Sequence, residues 1–171
     1  MSPASDHILH RLSDEASLWV IPLDGDESGL QGLLTRIQQF IEQWVSHGRT
    51  VQGAAVLEAN RFLLVAGEVS GGTISGCGID ALMHAIKEAS TVEHCRLLSS
   101  MLIYYRSESG QVNFVSRGNF RKMVSEGLIN STTKVFNPGI YTVGALRAKE
   151  FELPLADSVY SRMYRTPVAA T

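Results

Sequence analysis

Ser70-Gly71-Gly72-Thr73-Ile74-Ser75-Gly76-Cys77-Gly78-Ile79-Asp80 divides the chain. Its glycines allow positive φ and close backbone approach. The next residues have helical spacing. Ile79, Leu82, Met83 and Ile86 fall at i, i+3, i+4 and i+7, and Asp80, His84, Lys87 and Glu88 occupy the other face. A glycine-rich loop therefore delivers Cys77 to a helix N-terminus, at or near the cap. There a sulfur meets unpaired N–H groups and the positive end of the helix dipole, which favours the thiolate. Asp80 and His84 come after it on the same side of the helix, one turn apart. Cys77, Asp80 and His84 are the candidate catalytic residues, and Gly71, Gly72, Ser75, Gly76 and Gly78 form the candidate binding loop. Each has a structural reading beside the functional one. Cysteine serves as a small buried hydrophobe, an acid suits a first turn, and a histidine on a polar face is solvated. A metal needs three or four ligands, and no third beyond Cys77 joins Asp80 and His84, so no metal or other cofactor is expected.

Working back from the loop, Leu18–Leu23 reads as a strand in which Pro22 marks a sheet edge or the strand's end, and Asp24-Gly25-Asp26 as a turn. Ser28–His47 has the strongest helical pattern, with Leu30, Leu33, Leu34, Ile37, Ile41, Trp44 and Val45 on one face and Gly48 as its stop. Val51–Ala59 and Phe62–Val69 form a hairpin around Asn60-Arg61, and the side chains of Glu58, Asn60 and Arg61 near its tip are expected to be solvated. The unbroken apolar run Phe62–Ala66 marks a central strand buried on both faces. Working forward, the loop-borne helix is expected to run from Gly78 to about Val92. Met101–Arg106 and Gln111–Val115 form another strand pair. Ser116 caps a short helix ended by Gly127, and Thr133–Phe136 is a strand. Ile140–Glu152 is either extended or a short helix capped by Thr142.

The order βαββαβ, with Met101–Arg106 as the fourth strand, predicts an α+β fold. It is a ferredoxin-like antiparallel sheet with two helices on one face, plus a small C-terminal α/β annex. The expected divisions are a polar lead-in (1–16), the core domain (17–115), the annex (116–164) and a disordered tail (165–171).

With 171 residues, 44% of them apolar, the chain can bury a core without staples. A net charge of −2 offers no basic footprint for nucleic acid or an anionic membrane. No apolar run reaches spanning length, and 1–15 has no apolar stretch of a signal peptide. Cys77 and Cys95 stand at opposite ends of one predicted helix, too far apart to bridge. Reduced thiols and a cytoplasmic location are therefore expected.

Trp44-x-x-His47-Gly48, Asn60-Arg61-Phe62, Ser75–Asp80 with His84, Phe120-Arg121-Lys122-Met123, Val135-Phe136-Asn137 and Leu153-Pro154 recur in order in one family. Over roughly 17–164 the chain resembles a family of small cytoplasmic proteins from Bacteroidetes-type bacteria, often labelled "ABC transporter ATPase". The resemblance singles out Cys77, Ile79, Asp80 and His84. The chain departs from it at Gly78, where the family carries serine or another small residue. It departs again at Val159 and Tyr160, where relatives carry Trp and His. The label does not fit the chemistry: the chain has no G-x-x-x-x-G-K-[ST] loop to cradle phosphates. Two functions compete. One is a non-catalytic module that binds a small anionic ligand or a protein partner, a second copy included, with the loop as its pocket. The other is a thiol enzyme or redox sensor built on Cys77. Its weakness is geometric, because seven helical residues put His84 about 10 Å from Cys77.

Overall fold

Strand β1 (Ser17–Asp24) lies between two antiparallel partners in a computed structural model that describes residues 10–164. Helix α1 (Glu27–Glu42) comes next, capped by Asp26, whose carboxylate accepts the Gly29 amide at 2.7 Å. It leads to a two-residue hairpin, β2 (Val45–Ser46) with β3 (Arg49–Thr50), and the long hairpin β4 (Gln52–Glu58) with β5 (Phe62–Glu68). Helix α2 (Gly76–Val92) runs on to β6 (Arg96–Leu97), and the first sheet has the order β4-β5-β1-β6. The remaining elements are β7 (Ile103–Arg106), β8 (Val112–Val115), α3 (Arg117–Ser125), β9 (Lys134–Phe136), α4 (Val143–Arg147) and β10 (Glu152–Pro154). Their strands make a second antiparallel sheet, β10-β9-β7-β8.

The period-two alternation of strands distributes the side chains among three cores. Leu23, Ala55, Leu57, Leu63 and Val65 face α1 and α2 and pack on Leu30, Leu33, Ile37, Leu82 and Ile86. Leu18, Val56, Phe62, Leu64 and Ala66 face the other way and meet Tyr104, Val112, Phe136 and Phe151 of the second sheet's side. Behind that sheet, Ile103 and Val135 pack on Phe120, Ile129 and Leu155. The protein is thus α+β, layered as helices, sheet, sheet, and the α3 segment. Strand β5 is covered on both faces, which is why Phe62–Ala66 reads as an unbroken apolar run. Phe62 is the hub between the sheets. Its ring lies 5.2 Å from Tyr104, 5.0 Å from Phe136 and 5.1 Å from Phe151.

The sheet expected from the βαββαβ order differs from the observed one in its last strand. Residues 103–106 do not close the first sheet; the two-residue β6 takes that edge, and β7 founds the second sheet. The physical reason lies in β7 itself, where Ile103 and Tyr104 on opposite faces are both fully buried. The second sheet covers Tyr104 with the first sheet and Ile103 with α3.

The first helix is also shorter than its periodicity suggests, ending at Glu42 rather than His47. His47 and Gly48, at φ +49° and +73°, form the turn of the β2–β3 hairpin instead of a helix stop. Ser116 caps α3 through the Asn119 amide, Gly127 ends it at φ +74°, and Thr142 caps α4. Within the lead-in, Leu12 and Ala16 are buried between the sheets. The rest of that lead-in, 1–9, and the tail expected to be disordered, 165–171, lie outside the described residues.

Candidate functional site

The loop before α2 is built around its serine. Ser75, not Cys77, is the N-cap: its Oγ accepts the Gly78 amide at 3.2 Å and its carbonyl accepts the Ile79 amide at 3.0 Å. A hydroxyl oxygen is a better cap acceptor than a thiol, so the cap lies two residues ahead of the sulfur. Ser46 completes the arrangement from the short hairpin, accepting the Ser75 amide at 2.8 Å and lying 2.9 Å from its Oγ. The Trp44 indole N–H donates to the Gly78 carbonyl at 2.9 Å.

Two of the loop's glycines have a structural reason. Gly71 sits at φ +71° in the turn after β5. A Cβ at Gly78 would come within 3.0 Å of Ile74 and 3.2 Å of Ser46. Gly72 lies near Arg49, whose guanidinium donates to the Ser70 carbonyl at 3.2 Å, and Gly76 meets open space. Cys77 is an exposed free thiol at the second position of α2, and Asp80 and His84 are exposed farther along the helix. The structure does not gather these three around one point, because His84 lies two turns beyond Cys77. Among the described residues no group of three or more His, Cys, Asp or Glu is placed to hold a metal ion.

At the opposite end of the first sheet a cleft of about 430 Å³ opens between three distant segments. They are the β1–α1 turn with Glu27, the hairpin tip Ala59–Arg61, and the β7–β8 tip with Gln111 and Asn113. The volume is within the ordinary range of small-molecule sites. Its best-defined polar group is Arg61. Arg61 Nη1 donates to the Leu23 carbonyl and to Asp24 Oδ1, both at 2.8 Å, and the guanidinium lies over the Phe114 ring at 5.0 Å. Its Nε is buried without an acceptor, and Nη2 meets no acceptor among the described residues.

Asp24 also accepts from Arg96 Nη2 at 2.8 Å. The hydrogen bond from Arg61 is the main reason the Asp24 carboxyl lies below the usual carboxylate range; burial opposes it, and Arg96 adds a smaller lowering effect. Two guanidinium groups thus share one carboxylate and the node keeps a net positive charge. Arg106, on the far wall, is differently placed. It forks onto Glu152 at 2.7 and 2.8 Å, donates to the Gly110 carbonyl and lies over Phe136. Its charge is matched.

Glu58, Asn60 and Arg61 read from sequence as solvated residues of a hairpin tip; the structure corrects this for Glu58, which is buried, and for Arg61, which is held against β1. The signal that marks the cleft is an arginine at a hairpin tip directly before the most buried strand. Ala59 and Asn60 take φ +53° and +47° there, a conformation uncommon for alanine that places Arg61 against β1.

No helix among the described residues is long and apolar enough to cross a membrane. Comparisons with protein-family models, with curated proteins and with solved structures find no match for this chain.

Proposed function

We propose that this protein is a non-catalytic binding module that holds a small anionic molecule in the cleft at the Ala59–Arg61 tip. One observation carries the reading. Arg61 is fixed by a carbonyl, a carboxylate and an aromatic face, shares its counter-ion with Arg96, has guanidinium nitrogens without an acceptor among the described residues, and lines the open volume. A preorganised cation loses little side-chain freedom on binding. The glycine loop before α2 is, in this reading, a structural joint.

The test is a titration of the isotope-labelled chain with acetate, succinate and inorganic phosphate, monitored through backbone amide shifts. Saturable shifts at 59–61 and 110–113 are expected, and Arg61→Lys weakens them several-fold while the fold persists. A set of anions that leaves those amides unmoved refutes the proposal.

A second reading, a redox-sensing thiol at Cys77, is favoured by the exposure of that sulfur in the first turn of a long helix. It requires Cys77 to react with iodoacetamide at neutral pH faster than an unstructured peptide of the same local sequence. Equal rates dispose of it.

A further inference from the structure

One wall of the cleft has no role in holding a simple anion. Glu27, in the first turn of α1, lines the same cavity as Arg61, is exposed, and has no cationic partner among the described residues. A bare anion drawn to Arg61 would share the cavity with that carboxylate. Asn60, Gln111 and Asn113 lie around the same cavity, and their carboxamides make no hydrogen bond among the described residues. Each carboxamide offers donors and an acceptor at once. The cavity is therefore lined by a fixed guanidinium, a separate negative group and neutral two-way hydrogen-bonding groups.

Resting on the binding function proposed for this cleft, we infer that it takes a zwitterion of the α-amino acid type. Its carboxylate goes to Arg61 and its ammonium to Glu27. Opposite charges held on different segments select for a ligand that carries both, because a simple carboxylate gains one contact and suffers the other. The carboxamides then surround the remaining polar atoms. The three segments, 25–30, 59–61 and 106–113, come from different parts of the chain, so the charge separation is set by the fold and not by one flexible loop.

The experiment uses the full chain and four probes: L-glutamine, glycine, acetate and ethylammonium, each titrated by calorimetry and amide shifts. L-glutamine and glycine are expected to bind at least tenfold more tightly than acetate, with ethylammonium the weakest. Glu27→Gln should abolish that tenfold preference while leaving acetate binding unchanged or stronger. Because Glu27 is exposed, its variant should keep the wild-type melting point, which is measured alongside. If acetate binds as well as the amino acids, or Glu27→Gln leaves the preference intact, the zwitterion inference is overturned and anion binding stands. If no probe shifts the cleft amides, both fall.

Discussion

The two ends of the first sheet use polar residues in opposite ways. At the start of α2, Ser46, Ser75, Trp44 and the Gly78 backbone satisfy one another, and Gly71 and Gly78 are there because the backbone must turn or a side chain would collide. At the Ala59–Arg61 end, one arginine is fixed while three carboxamides and a carboxylate line an opening without internal partners. Glycine richness marks close packing at the first end, and unspent hydrogen-bonding capacity marks room for a ligand at the second. The first has a conspicuous sequence and little left to offer; the second has no motif.

The largest effect that can break this contrast is at Gly67. It pairs across the strands with Gly53, and the two leave the flat seat on which Trp44 lies. A Cβ at Gly67 would come within 2.7 Å of the Trp44 ring. Gly67→Val is expected to cost about 3 kcal/mol in urea unfolding through overpacking. A stable variant would mean the joint before α2 is not locked.

Trp44→Phe removes the indole donor from the Gly78 carbonyl and should cost about 2 kcal/mol by the same measurement. Ser75→Ala deletes the cap of α2 and should cost about 1 kcal/mol, whereas Cys77→Ser should be near neutral. A reversed order would return the sulfur to the centre of that end.

Asp24 provides a pH-dependent comparison. Its carboxyl is held low in the folded chain by Arg61 and Arg96, and in the unfolded chain it titrates as an ordinary aspartate does, at about 3.9. The folded state binds the proton less readily, so this contribution is complete above about pH 4 and fades as acid carries the group through its lowered value. Wild type and Asp24→Asn should therefore differ in stability at neutral pH and converge in acid. The gap should be under about 1 kcal/mol, since the carboxylate is partly exposed. A gap that widens in acid contradicts the assignment. The smallest effect belongs to Gln111→Ala, which should change stability by less than about 0.5 kcal/mol and act only on ligand binding.

Much of the local structure is legible in the sequence because it depends on near neighbours. The apolar face of α1, the β4–β5 hairpin, the cap at Ser116 and the stop at Gly127 all come from short-range chemistry, while the sequence left Thr142 open between a helix cap and an extended segment. The candidate site is legible only in part. The loop and helix at 70–92 are where the sequence places them, but the cap is Ser75, and its partner Ser46 lies 29 residues away.

Helical periodicity carries Trp44 onto α1, yet tertiary structure ends that helix early so that the indole can reach its glycine seat and the Gly78 carbonyl. The same holds for the second sheet and for the cleft. By itself, the sequence determined the long helices and strands and which of their faces are apolar, but not the short strands β2, β3, β6 and β10, since spacing and capping act within a few residues. Only the tertiary structure decided that β7 leaves the first sheet and that Glu27, Arg61 and Gln111 share one cavity. Burial on both faces and the sharing of counter-ions depend on residues brought together from distant parts of the chain.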